Sequence, residues 1–288
     1  MSGWMKRDGV LSSFHFNMFS DSLQIRSPYA PPHSSDPLEF QRVFLYVILF
    51  CEMNKSEFEN MKKLFTAIRA SDLEMVRQII EKNPELVNCV AKQPPKKDDG
   101  QSPLQVALKS GNTAIANYLL DMGAEVNFIE DESCCNAWRT PVIHDAINCA
   151  VMSCRWNTND KNMGFIVFST KEKAAEALDV LKRMLDMGAD VNALDSYGNS
   201  GSNRFALQAK QILPSYNYVE HREGKDRIFT EELHEDLRSV LQALKDAGAD
   251  ISYKAPNLGY SVREFCSEGS ISILFDEVFG CDIEIETI

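Results

Sequence analysis

The chain has 288 residues, 44% of them apolar, enough for one elongated domain or two compact ones. Its net charge of −12 sets carboxylates against phosphates, which excludes nucleic acid and anionic membranes as natural partners. The longest apolar run, Val43 to Cys51, falls short of the roughly 20 residues of a membrane-spanning helix and is poorly placed for a secretory signal.

Residues 1–52 place Pro28, Pro31, Pro32 and Pro37 among serines and show no sustained helical or strand period. They are expected to be a disordered or non-native extension, with a short packed helix over about 38–52 as the rival. From Met53 the character changes. Phe58, Met61, Leu64, Phe65 and Ile68 fall near helical spacing and predict a first helix. Further amphipathic helices are expected around Met75–Glu81, Ala114–Asp121, Ala177–Asp186 and Leu237–Asp246. Ser71-x-x-Glu74 and Ser169-x-x-Glu172 read as capping boxes. Pro103 and Pro141 sit where a helix begins and no N–H is needed, ahead of helices Gln105–Ser110 and Ile143–Ala150.

A short string closes three of these helices: Gly123-Ala-Glu-Val-Asn127, Gly188-Ala-Asp-Val-Asn192 and Gly248-Ala-Asp-Ile-Ser252, with a degenerate copy at Asn83–Asn88. Glycine ends a helix because the left-handed conformation costs it nothing. The Val or Ile then returns to the core, and the Asn or Ser opens a polar turn. DGQSPLQVALKSGNTAIANYLLDMGAEVN (99–127) carries the whole unit and resembles the ankyrin repeat. Leu64–Asn88, TPVIHDAI (140–147) and Gly259–Cys266 extend the resemblance to about residues 58–280. Two departures stand out. Arg263 replaces a usual Leu. The glycines at 123, 188 and 248 are roughly 65 and 60 residues apart, against a period of about 33. Insertions are therefore expected at about Met152–Phe168 and Pro214–Phe229, with a hidden degenerate repeat in each interval as the alternative.

The resemblance implies an all-α solenoid of stacked helix-turn-helix units with about five repeats, near 58–88, 99–127, 138–192, 197–252 and 257–280, with insertions in the third and fourth. It implies a non-catalytic adaptor, scaffold or inhibitor that holds a protein partner on a concave face of turn tips and first helices. Tryptophan, tyrosine and arginine are common anchors of such contacts. The candidate partner-binding residues are Lys109, Phe128, Trp138, Arg139, Asp145, Asn148, Trp156, Tyr197 and Tyr218. For Trp138 and Tyr197 the competing role is packing between turns; for Asp145 and Asn148 it is plain solvation.

No catalytic residue, cofactor or metal ligand is expected. The eight cysteines form no CxxC pair and read as free thiols of a reducing compartment, so a cytoplasmic protein is expected, and a monomer because a single repeat stack needs no partner to fold. No phosphate loop, nucleophile elbow or HExxH occurs. His144 is expected to bond between turns. His221 and His234 stand near Glu220, Glu223 and Glu235, so the alternative is a ligand-binding protein or enzyme whose site the insertions build. A secreted effector acting on a host protein is a further alternative. Gly198–Ser202 reads as a turn tip.

Overall fold

Helices dominate the computed structural model, which describes residues 56–92, 98–160, 164–256 and 259–280. The first helix, α1, covers 56–69 of these. It is followed by α2 (Leu73–Lys82), a 3-10 turn (Pro84–Asn88), α3 (Pro103–Lys109), α4 (Thr113–Asp121) and α5 (Val142–Ser153). A hairpin of β1 (Asn157–Asp160) and β2 (Gly164–Val167) leads to α6 (Lys171–Asp186) and α7 (Gly201–Ile212). A second, shorter hairpin pairs β3 (Tyr216–Asn217) with β4 (Arg222–Glu223). The chain ends in α8 (Glu231–Asp246), α9 (Val262–Phe265) and α10 (Ser270–Phe279). The fold is thus mostly helical rather than purely so. Residues 1–52 and Asn257 lie outside the described residues.

The helices stack in two rows. In one, α3, α5, α7 and α9 pack in succession; in the other, α2, α4, α6, α8 and α10 do. A single hydrophobic core runs through both, from Leu64 and Ile68 past Ile115, Leu119, Ile147, Leu181 and Met184 to Phe205, Leu244 and Phe275. Helices α2, α6 and α8 bury one apolar stripe each, whereas α3 and α5 are buried on most sides; the stack is what removes these surfaces from water.

The repeated glycine string does more than stop helices. Gly123, Gly188 and Gly248 hold φ of +86°, +90° and +82°. Their N–H groups and those of the following alanines turn back onto Leu120 and Leu119, Leu185 and Met184, Lys245 and Leu244. This is the paired closure of a helix C-terminus. The asparagine that ends each string then reaches into the next unit. Asn88 Nδ2 donates to the Gly123 carbonyl, Asn127 to Gly188 and Asn192 to Gly248, at 2.9–3.1 Å. Its Oδ1 accepts from the backbone N–H of Glu125, Asp190 and Asp250 in turn. One side chain thereby fixes the spacing of neighbouring units.

Two helix starts differ from expectation by one residue. Asp72, not Ser71, caps α2 by accepting from Met75 N–H, and Ser71 adopts a positive φ. Thr170, not Ser169, caps α6, while Ser169 Oγ donates to the Ser153 carbonyl. In both places a second capping residue stands next in sequence, and the entry path selects it. Complete capping boxes form instead at Ser102/Gln105, Ser200/Asn203 and Ser261/Glu264. Gly198–Ser202 is also divided: Gly198 belongs to the turn, but Ser200 caps α7 and Gly201 opens it.

Candidate site: a cleft beneath Trp138

Between α3, α5 and α7 lies a cleft of about 550 Å³. Lys109 comes from the end of α3; Asp145, Asn148 and Met152 come from successive turns of α5; Arg204 and Gln208 come from α7. Trp138 and Thr140, from the segment before α5, complete the wall. Four of the nine residues singled out in the sequence (Lys109, Trp138, Asp145 and Asn148) therefore meet here. Tyr197 adjoins them, its ring edge-on to Trp138 at 6.2 Å. Trp138 and Tyr197 stay 46% and 48% exposed.

Beneath Trp138 is a buried ionic cluster. Arg204, only 4% exposed, lays its guanidinium 4.3 Å from the Trp138 ring centre and donates to Asp195 Oδ2 at 3.2 Å. Trp138 Nε1–H donates to the same oxygen at 2.9 Å. Burial alone would raise the Asp195 carboxyl, but hydrogen bonds from Asn199, Trp138 and Tyr197 outweigh it and hold Asp195 below its usual range. Burial pulls Arg204 down from the usual arginine value, opposed by Asp195 and Asp145. His144 lies at the back. Burial pushes it down to about 4, so it is neutral, and Nε2–H donates to the Ala193 carbonyl at 2.9 Å.

On the other side of the cleft two carboxylates share one ammonium. Lys109 Nζ sits 3.3 Å from Glu130 and 3.8 Å from Asp145. Glu130 also accepts from the Thr140 N–H at 2.8 Å, and Gln105 Nε2 donates to Asp145 Oδ2 at 3.2 Å. Asp145 is 3% exposed, contrary to its expected place on an open face. Gln105 and Lys109 of α3, with Glu130, surround it. Burial, reinforced by Glu130, raises its carboxyl to about 7 against the pull of Lys109.

The other candidates lie apart from the cleft floor. Phe128 packs against the core, and its carbonyl accepts from Val142 N–H. Arg139 joins adjacent turns: its N–H donates to Ser196 Oγ and its carbonyl accepts from Ser196 N–H. Trp156 closes the base of the first hairpin, stacked on Phe168 at 4.3 Å. Tyr218 stands on the second hairpin, 53% exposed, and accepts from Lys210 Nζ. His221 and His234 do not converge on one site; His221 pairs with Glu268 and His234 with Glu277. Cys89, Cys134, Cys149, Cys154 and Cys266 are thiols outside any disulfide.

Sequence reasoning missed Arg204, the centre of the buried cluster. Its helix, GSNRFALQAKQI, is the first of the fourth expected unit but lacks the Ser-Pro or Thr-Pro opening of α3 and α5, so the motif does not mark which of its residues face the cleft. The signal available was Ser200-x-x-Asn203, a polar pair at capping-box spacing.

The helix pairs, the glycine closures and the asparagine links at the N-terminal end of the stack coincide with a family match. The model for ankyrin repeats (3 copies) matches residues 41–130. Residues 41–130 are ankyrin repeats. The matched ankyrin region contains α2, α3, α4 and the turn through Glu130; it contributes Lys109 to the cleft, and the buried Gln105 and Glu130 that contact Asp145 and Lys109. It begins within the segment 1–52. Ankyrin repeats are in general protein–protein interaction modules. No curated protein matches the chain. No described helix is long and apolar enough to cross a membrane.

Proposed function

We propose that the chain is a non-catalytic protein-binding module whose ankyrin repeats continue past residue 130. On this reading five units pair α1 with α2, α3 with α4, α5 with α6, α7 with α8 and α9 with α10. The two hairpins are insertions between the helices of the third and fourth units. The partner docks on the turn tips and the row α3, α5, α7, with the hairpins extending that surface.

The observation that carries this reading is Trp138 beside Tyr197. Two large aromatic rings on adjacent turns are half exposed, yet Trp138 is held rigidly from below by Asp195 and Arg204. A rigid, half-exposed aromatic pair supplies contact area at little entropic cost, as interface anchors do. Tyr218 offers a similar exposed ring on the second hairpin.

Affinity capture from source-cell lysate with the full chain tests this. Tyr197→Ala and Tyr218→Ala serve as separate variants, their folding checked by circular dichroism. A protein held by wild type and lost with Tyr197→Ala supports docking on the turn tips. Loss with Tyr218→Ala alone moves the surface to the second hairpin. Capture by both variants at the wild-type level would sink this placement.

A further inference from the structure

The cleft beneath Trp138 has a charge imbalance that its own residues leave unresolved. Arg204 is matched by Asp195, and its guanidinium face is covered by Trp138. What remains is Asp145 and Glu130 with Lys109 alone between them. Two buried carboxylates have one ammonium between them, so Asp145 lacks a cation of its own and is driven towards its neutral form; a second cation at this place would hold it ionised.

Hydrogen-bond accounting agrees. An ionised carboxylate accepts up to about four hydrogen bonds. Among the described residues Asp145 receives one, from Gln105 on Oδ2; Oδ1 has only Lys109, at 3.8 Å. Two more acceptors lining the cleft have no partner among the described residues, Asn148 Oδ1 and Thr140 Oγ1. An ammonium or guanidinium carries three to five donors and no acceptor, the complement of this set. The set also holds one unpartnered donor, Arg204 Nε, for which a peptide carbonyl is the match. The cleft, at about 550 Å³, admits a long side chain together with part of the backbone that bears it. The chain's charge of −12 favours a basic segment from afar.

We propose that this cleft is a socket for one lysine or arginine side chain, presented by an extended basic segment of the protein partner. This rests on the reading of the turn face as the docking surface and narrows it. The incoming cation pairs with Asp145 alongside Lys109, with Asn148 and Thr140 taking its remaining N–H groups.

The test uses the full chain, labelled with 15N, and follows the Trp138 indole N–H signal, identified by its loss in Trp138→Phe. The probes are n-butylammonium, n-propylguanidinium, n-butanol and butyrate at matched ionic strength. A capped Gly-Ser-Lys-Ser-Gly peptide and its norleucine counterpart complete the set. The cations should shift the signal saturably and bind about tenfold more tightly than butanol, the worth of one charge-assisted hydrogen bond. Asp145→Asn should abolish that preference; this variant removes a buried charge and keeps its shape, so its folding is not at risk. The lysine peptide should bind more tightly than n-butylammonium and than the norleucine peptide.

Equal shifts from all four small probes, preference for butyrate, or a cation preference surviving Asp145→Asn would each overturn the socket. A lysine peptide no tighter than n-butylammonium would assign the site to free amines and overturn the peptide-borne side chain. Failure of the socket and failure of the docking surface are separable. Lysate capture that depends on Tyr197, with no cation preference in the cleft, refutes only the socket.

Discussion

Asp145 and His144 are neighbours in α5, and burial drives both towards their neutral forms. For Asp145 the consequence for stability can be given a sign. Its folded pKa, about 7, lies above its usual value, so the folded state holds a proton that the unfolded chain releases. Stability from this group is complete below about pH 4 and drains away as pH rises through about 7. Asp145→Asn should therefore gain on wild type by about 1–3 kcal/mol between pH 5 and pH 8. Urea unfolding at the two pH values measures it; a constant difference would contradict the burial argument. Arg204 has the opposite character, since removing it strands the fully buried Asp195 carboxylate. Arg204→Met should cost about 3–5 kcal/mol, and adding Asp195→Asn should recover part of it. A loss under 1 kcal/mol by urea unfolding would show that Asp195 is stabilised without Arg204. Helical spacing places Asp145 on a helix, but its burial depends on Gln105 and Lys109 of the preceding α3 and on Glu130. No local pattern encodes that contact.

Secondary elements were legible where a backbone requirement shows in the residue type. Gly188 is the clearest case: at φ +90° a side chain is strained, although nothing lies within 4 Å of where its Cβ would be. The cost is then almost purely backbone. Gly188→Val should lower stability by about 2 kcal/mol and Gly188→Asn by about half as much, because asparagine tolerates this region. Equal losses in thermal unfolding would refute a backbone origin. The asparagine links make a second prediction: Asn127→Ala removes a donor to Gly188 and an acceptor for Asp190 N–H. Both bonds are exposed to water, so the loss should be about 1–2 kcal/mol in the same assay. The two hairpins were not legible as strands. Their pairing joins residues such as Thr158 and Ile166 across a turn. Asn159 N–H is further tied to the carbonyl of Asp226, just after the second hairpin. Trp156, stacked at this base and packed against the core, should lose about 2–3 kcal/mol as Trp156→Ala. Thermal unfolding that hardly changes would mark it as a surface residue.

For the folded unit as a whole, stability follows from neighbours burying each other's apolar stripes, and specificity from what the turns leave uncovered. The spacing of Gly-Ala-x-Val-Asn determined by itself that the chain is built of repeating helix pairs. Glycine has no competitor at a left-handed helix stop, and the apolar stripes have no other way out of water. The same reading selected Lys109, Trp138, Asp145 and Asn148, because residue positions relative to the repeat fix which face they share. Only the tertiary structure decided that these four surround one cleft. It alone placed Arg204 beneath Trp138, buried Asp145 beside Glu130, and set Phe128 and Trp156 into packing. Repeat periodicity is a property of one unit's own backbone and is written in its sequence. Charge pairing and burial here arise between units, from side chains such as Asp145 and Arg204 that lie far apart in the chain, and become definite only when the units stack.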